Sequence, residues 1–443
     1  MDSIKRRDFV RNMSVAAVAA AALPRYSFGA VKGSDRIKVG LIGCGWRGRD
    51  ATCNMIEADN NIKIVAVADL YEEPTKGAVA HISNFAKSKC PKTANEIADA
   101  SKIKRFWGWE AVDNILAEDI DVVINAAPPA FRAPHYKKIV AAGKHAFLEK
   151  PAAIDITQAR SMLELADVAR QKKLCVVCGT QRRYHEGYQE IIKRVHDGMI
   201  GRPVAAYAYW NEGMYVGDPQ YKKVNVAPDT MEYQTKNWYS FIWASGDHIV
   251  EQHVHNLDVI MWALGDNRQP LDVRGYGGRS TDLPMPKYGD RFSHFSIDFN
   301  FGGGLRLQSY CHQDPKTSRK IEEVLVGTKG IMRTGLYPDT NNVITDLDGK
   351  VLYKAPSPQK QCLVEEHRVL LNAIRTGQYV NVLETMVNSN LLAITGRMSA
   401  YAGKEFKYEW ALKRAKEDLM PKEMKFGQLP VGSVPVPGKY RLA

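Results

Sequence analysis

Arg36-Ile-Lys-Val-Gly-Leu-Ile-Gly43-Cys-Gly45-Trp-Arg-Gly48 is the stretch on which the fold turns. An apolar strand runs into a glycine-rich turn, and a helical stretch from about Arg49 to Ala58 follows. Ile62-Lys-Ile-Val-Ala-Val-Ala-Asp69 then reads as a second strand ending in an acid, 21 residues after Gly48. Strand, G-x-G-x-x-G, helix and distal acid together make a dinucleotide-binding pattern far more specific than the glycines alone. Each part has a physical role. Gly43 permits the tight turn, Gly45 lets backbone approach a pyrophosphate, and Gly48 lets helix pack on strand. The helix N-terminus supplies amide donors for the phosphates. Asp69 takes the ribose 2′-hydroxyl and repels a 2′-phosphate, which favours NAD over NADP. Trp46 and Arg47 sit inside the turn and join this cofactor set. Arg47 or Arg49 either neutralises the pyrophosphate or lies on a solvated face.

Outward from this turn the alternation continues. Trp109 to Leu116 reads as a helix, Asp121 to Ala127 as a strand, and Pro128-Pro129 breaks the chain. A helix from Pro134 to Ala142, a strand from Lys144 to Glu149, a helix from Gln158 to Gln171 and a strand from Leu174 to Gly179 follow. Strands alternating with helices predict a doubly wound parallel sheet, with ligands at the carboxyl ends of its strands. Asp69, Pro128 and Glu149-Lys150-Pro151 all fall at such ends. The second half changes character. Val204 to Trp210, Leu271 to Arg279, Phe292 to Phe301, Leu305 to Gln313 and Glu322 to Met332 alternate as strands, with Gly302-Gly-Gly304 as a hairpin turn. Helices return at Val364 to Thr376 and Val382 to Tyr401. The fold class is α/β: an N-terminal Rossmann sheet, then a C-terminal α+β domain with a large, mostly antiparallel open sheet. The predicted units are an export signal over residues 1–30, a Rossmann domain over 31–180, and a substrate and oligomerisation domain over 181–420. Residues 421–443, rich in Pro and Gly, form a C-terminal arm. The helices at 364–403 are candidates to pack back on the Rossmann domain.

The chain has 443 residues, 45% hydrophobic and 25% charged, a globular profile that excludes disordered and collagen-like classes. No apolar run reaches the roughly 18 residues that span a bilayer. The formal charge is +12, but no basic stripe accompanies it, which argues against a nucleic-acid partner. Residues 1–30 carry five basic and two acidic side chains, so +3 belongs to that segment. Its order is Lys5-Arg6-Arg7-Asp8-Phe9-Val10-Arg11, then an alanine-rich stretch from Met13 to Leu23, then small residues before Ala30. This resembles a twin-arginine export signal, which carries folded proteins to the periplasm. Seven cysteines show no framework spacing, and Cys175-Val-Val-Cys178 reads as two buried strand residues facing opposite sides.

Lys150, ending a strand at the ligand edge, is placed to hydrogen-bond a substrate hydroxyl and stabilise an alkoxide. The richest stretch runs from Asn237 to Trp262. From Asp247 onward it reads as one helix, with Val250, Val254, Leu257, Met261 and Leu264 as its apolar stripe. Glu251, His255, Asp258 and Trp262 form a neighbouring stripe. Glu251 and His255, four apart, are expected to touch, raising the imidazole pKa and suiting it to general base work. Two other readings stay open: metal ligation by His248, Glu251 and His255, or a buried pair with no function. The aromatics Trp210, Tyr215, Trp238, Tyr239 and Trp243 suit stacking on sugar faces. Arg182, Arg183, Tyr184, Trp243 and Gln252 are the expected substrate contacts.

The Gly43–Gly48 turn, Glu149-Lys150-Pro151, Gly198-Met-Ile-Gly201-Arg-Pro203 and the His255-Asn-Leu-Asp258 helix together resemble the Gfo/Idh/MocA family of sugar oxidoreductases over about residues 35–405. The resemblance implies Lys150, Glu251 and His255 as the residues acting on the oxidised carbinol. It departs at Glu251, where inositol-dehydrogenase-like members carry Asp. It also implies a homo-oligomer, dimer or tetramer, built on the open sheet. An exported enzyme meets no free NAD pool, so the expectation is tightly bound NAD, with a dissociation constant of about nanomolar or below. The reaction expected first is oxidation of a sugar or glycoside carbinol, the C3 hydroxyl. The alternatives are a redox-neutral NAD-dependent glycosidase and a nonenzymatic NAD-binding sensor or scaffold. No metal is assigned.

Overall fold

A computed structural model describes residues 35–213, 225–280, 283–335, 342–355 and 361–443. The segment read as an export signal and Tyr215 lie outside the described residues.

Among the described residues, six strands form the first sheet: β1 (Ile37–Ile42), β2 (Ile62–Asp69), β3 (Lys104–Trp107), β4 (Val122–Asn125), β5 (His145–Leu148) and β6 (Val176–Cys178). Their order is β3-β2-β1-β4-β5-β6, and every pairing is parallel. That is the doubly wound order, whose direction reverses between β1 and β4 and opens a crevice at their carboxyl ends. Strands β4, β5 and β6 are buried on both faces because helices cover both. Ile37, Val39 and Leu41 face one core, which takes in Leu370, Leu371 and Ile374 of the helix Cys362–Thr376. Ile42, Ala66 and Val123 face the other. Cys175 belongs to the first core and Cys178 to the second.

The second sheet has nine strands among the described residues: β7 (Pro203–Asn211), β8 (Asp272–Gly278), β9 (His294–Asn300), β10 (Arg306–His312), β11 (Lys320–Gly327), β12 (Ile331–Thr334), β13 (Val343–Thr345), β14 (Val351–Lys354) and β15 (Phe406–Lys407). The order is β14-β13-β12-β11-β7-β10-β9-β8-β15. All neighbours are antiparallel except β7 and β10. The sheet obeys the two-residue period. Ala206, Ala208, Leu307, Ile297, Phe299 and Leu325 turn inward and share a core with the back of the Rossmann sheet. Tyr207, Tyr209 and Tyr310 lie on the opposite face, their rings stacked at 6.5 and 5.5 Å.

One expectation is corrected here. The helix read from Asp247 onward is two helices, His248–Glu251 and Val254–Leu264. The chain enters the first through Gly246 and Asp247, both at positive φ, and the ladder slips where His253 N–H reaches back to His248 C=O at 3.2 Å. The four-residue spacing of Glu251 and His255 therefore does not place them on one continuous helical face. The C-terminal arm, with Leu419 and Met420 just before it, packs against the rest of the fold. Leu419, Met420, Met424, Leu429 and Val431 cover a small core of Ala130, Ile154, Met231, Phe241 and Trp243. Tyr440 donates to Glu417 Oε1 at 3.0 Å.

Candidate functional site

A cleft of about 1570 Å³ opens between the two sheets at the carboxyl ends of the parallel strands. At its floor the glycine turn is built as the motif requires. Gly43 has φ +91°, and a Cβ there would stand 2.4 Å from Ala127 N. A Cβ on Gly48 would stand 1.9 Å from Gly43 O, so helix and strand touch through hydrogen. At Gly45 no atom lies within 4 Å of a notional Cβ, which leaves a bare backbone face on the cleft. The helix Trp46–Ala58 begins there with no side-chain cap, so its first amides point at that space. Trp46, 70% exposed, stands at its rim.

Asp69 ends β2 on the cleft. Its carboxylate accepts from Cys44 N at 2.8 Å and Tyr71 N at 3.0 Å. Each oxygen keeps a lone pair for a ribose hydroxyl. Burial pushes its pKa up, against these amide hydrogen bonds. The bare turn, the uncapped helix start and this acid at ribose distance along the fold fit a dinucleotide.

Arg47 is not the open cation expected beside a pyrophosphate. Its guanidinium donates to Glu149 at 2.6 Å and to Glu366 at 3.2 Å, so its charge is already matched. Glu366 comes from the helix Cys362–Thr376, and no motif signals it. Burial and then Glu149 push its carboxyl well above the usual range, with Arg47 opposing them. Glu149 is seated against Gly179, where a Cβ would stand 2.5 Å from Oε2. Arg132 fastens the turn after β4, where Pro128 sits, by donating to Asn125 O at 2.6 Å. Burial lowers its pKa to about 10.

Lys150 follows β5 and crosses the cleft. Its Nζ donates to Glu251 Oε1 at 2.7 Å and to the Glu251 carbonyl. The carboxylate expected to orient His255 is thus bound to Lys150. His255 instead stacks on Trp210, with ring centroids 5.8 Å apart and planes at 24°. The expected rise in its pKa is reversed. Burial first, then the charges of Lys150, Arg182 and Arg47, hold it well below the ordinary imidazole value. The neutral imidazole of His255 is favoured by these surroundings rather than oriented by a paired acid. His248 lies elsewhere, fully buried against Phe295.

All of Gly43, Gly45, Trp46, Arg47, Gly48, Asp69, Pro128, Glu149, Lys150, Glu251, Gln252 and His255 meet on the one cleft. Four expected substrate contacts do not line it. Arg182 is buried in an ion pair with Glu323, between the faces of Trp210 and Tyr188. Arg183 binds Asp258 (2.8 Å) and Asp266 (2.7 Å), which also removes Asp258 from the stripe it was read into. Tyr184 packs on the Rossmann core. Trp243 Nε1 donates to Gln234 Oε1 at 2.7 Å inside the small core. The cleft wall is made instead by Trp210, Trp238, Tyr239, Gln181 and Asn237, with Tyr71 and Trp109 at the far end. Tyr71 and Trp109 were findable, since each directly follows the end of a parallel strand.

Residues 37–179 match the GFO_IDH_MocA family model, described as the oxidoreductase family with an NAD-binding Rossmann fold. An inositol 2-dehydrogenase of Salmonella paratyphi B is 24% identical over 239 residues, which is 54% of this chain and 57% of that protein. The chain thus spans little more than half the length of the first such relatives. A scyllo-inositol 2-dehydrogenase (NAD(+)) of Bacillus subtilis is 22% identical over 369 residues, 80% of this chain and 91% of that protein. The solved scyllo-inositol dehydrogenase of Lactobacillus casei, with bound NAD(H) and scyllo-inositol, superposes with TM-score 0.62 at 19% identity. That superposition covers 85% of this chain and 100% of that one, and shows the common fold. The first domain is thus an NAD-binding Rossmann domain, similar over residues 37–179 to that of the matched oxidoreductase family.

Proposed function

We propose that the protein oxidises a secondary hydroxyl, the C3 hydroxyl of a sugar or glycoside, using a tightly held NAD. The observation that carries this reading is that Lys150, fixed by Glu251, and the buried His255 line the same cleft. Bound NAD supplies the acceptor for the hydride lost from the carbinol carbon. The chain's own residues handle the proton and the oxygen. Lys150 has three N–H donors and gives two to Glu251, which leaves one for the substrate oxygen. His255, neutral at working pH, takes the hydroxyl proton as the carbonyl forms. Glu251 acts through Lys150, holding the ammonium in place. Trp210, Trp238 and Tyr239 offer apolar faces to a sugar ring, and Gln252 and Gln181 offer hydrogen bonds. The sequence of the first 30 residues supports twin-arginine export, and a protein working outside the cytoplasm must keep its NAD. The stacked tyrosines on the outer sheet face support assembly of a dimer or tetramer through that face.

The test is purified protein with an aryl glycoside and no added NAD. The reading requires a keto-glycoside in an amount equal to bound NAD, with sustained turnover only when an electron acceptor is added. Steady release of the phenol without acceptor would instead establish the redox-neutral glycosidase. Neither product, with NAD bound, would leave a nonenzymatic sensor or scaffold.

A further inference from the structure

The far end of the cleft is lined in part by chain from outside the Rossmann domain. Tyr71 lies two residues past Asp69, and Trp109 two residues past β3; both line the cleft. With the pyrophosphate on the glycine turn and the ribose on Asp69, the adenosine half of a dinucleotide lies at this end. The helix Met231–Lys236 of the second domain runs opposite. The Thr235 hydroxyl gives its proton to Met231 O at 2.6 Å, so the Tyr71 hydroxyl donates to Thr235 Oγ1 across the gap at 2.7 Å. Lys236 Nζ lies 4.7 Å from the Tyr71 ring centroid.

A third segment stands behind these. Phe426 of the C-terminal arm packs 5.8 Å from the Tyr71 ring and 5.3 Å from the Trp109 ring. Its chain is sewn to the same helix. Met231 N donates to Gly427 O at 2.8 Å, and Gly427 N donates to Glu232 Oε2 at 3.2 Å. Leu429 N donates to Asp229 O at 2.7 Å. Residues some 190 positions apart along the chain thus meet at one end of the cleft, and nothing in the catalytic reading requires them to.

We propose that Tyr71, Thr235 and Phe426 form a latch over the adenosine end of the cleft that sets how long the dinucleotide stays bound. The inference deepens the tightly held NAD of the proposed function and rests on that reading. The physical argument is kinetic. Adenosine lying against this wall leaves faster when the wall loosens, and the Tyr71–Thr235 hydrogen bond and the packing of Phe426 on two rings hold it together. Phe426 is a positioning residue: it holds Tyr71 and Trp109 from behind and does not itself line the cleft. At 42% exposed, its loss leaves no sealed core cavity.

Phe426→Ala, Phe426→Tyr and Thr235→Val are compared with the unaltered protein, as purified and after removal of nucleotide. Release of NAD is followed by dilution, and AMP and nicotinamide mononucleotide are titrated separately by calorimetry. Phe426→Ala and Thr235→Val are expected to speed NAD release about tenfold or more, the ratio that a barrier change of one hydrogen bond or aromatic contact gives. They should weaken AMP and leave the mononucleotide unchanged, while Phe426→Tyr restores the original rate. Unchanged release and AMP affinity would overturn the latch, as would equal weakening of both half-ligands, which marks a general loosening. If the unaltered protein purifies without dinucleotide, the tightly held NAD falls. The contrast between AMP and the mononucleotide still decides the latch.

Discussion

Two ion pairs are made by cations that follow parallel strands of the first sheet, and they look alike in sequence. Lys150 follows β5 and meets Glu251; Arg182 follows β6 and meets Glu323 on β11. Both cations leave apolar parallel strands at the edge where ligands bind, and both were read as parts of the site. Only the first is on the cleft. After β6 a 3₁₀ turn over Gln181–Tyr184 carries Arg182 under the second sheet. Glu323 meets it there from the inward face of β11, with Tyr188, Thr334 and Asn256 also bound to that carboxylate. Lys150 keeps a donor to offer and a water-accessible side. Arg182 is committed to its partner and to two aromatic faces. Position at a strand end therefore nominates a residue, and whether its side chain reaches the cleft decides whether it acts.

The sharpest test of that difference replaces each cation by Met. Lys150→Met is expected to lower turnover by about 10³-fold or more, the upper range for a positioned proton-handling group. Bound NAD should be retained, because the glycine turn and Asp69 are untouched. Kinetics on protein of verified NAD content checks this. Arg182→Met is expected to cost about 3–5 kcal/mol of stability, since it strands a fully buried carboxylate. Turnover per folded molecule should change by less than about tenfold, read as a kcat ratio. Denaturant unfolding beside initial rates separates the two effects. If Arg182→Met abolished turnover in fully folded protein, the comparison would collapse.

The Rossmann half was legible because its signals are local. Gly43, Gly45, Gly48 and Asp69 each answer to a backbone need visible within one strand–turn–helix unit. Lys150 was legible for the same reason. Glu251 and His255 were found, but their relation was misjudged. The spacing assumed a continuous helix, and the break after Glu251 sends one side chain to Lys150 and the other onto Trp210. Glu366 and Phe426 were not legible at all. Each acts on a partner more than 300 residues earlier, and nothing in its own neighbourhood marks it. Trp243 illustrates the opposite error, an aromatic placed in the site by proximity along the chain.

A smaller effect links the two pairs through His255. Burial and the charges of Lys150, Arg182 and Arg47 disfavour its imidazolium form. The base form therefore persists into acid, and kcat/KM should stay flat from about pH 8 down past about 6.5, the ordinary histidine value. The fall should come only at lower pH, as His255 takes up a proton. Arg182→Met removes one of the three cations and should move that limb upward, by about one unit or less. A limb already at the ordinary value in the unaltered protein, lost in His255→Ala, would show that the pocket leaves the imidazole unperturbed.

The smallest effect concerns where the cleft wall ends and the core begins. Trp243 and Trp238 lie five residues apart, yet only Trp238 lines the cleft. Trp243 is 9% exposed, packs edge-on to Phe131 at 6.3 Å, and spends its one N–H on Gln234. Gln234 in turn donates to Leu429 O at 2.6 Å, so this hydrogen bond helps seat the arm. Trp243→Phe keeps most of the ring volume and leaves Gln234 Oε1 without that donor. The expected cost is about 1–2 kcal/mol of unfolding free energy, that of an unsatisfied buried acceptor. KM for the sugar should not move, because no sugar hydroxyl ever met that indole. A raised KM at unchanged stability would return Trp243 to the substrate wall and place the border one layer deeper.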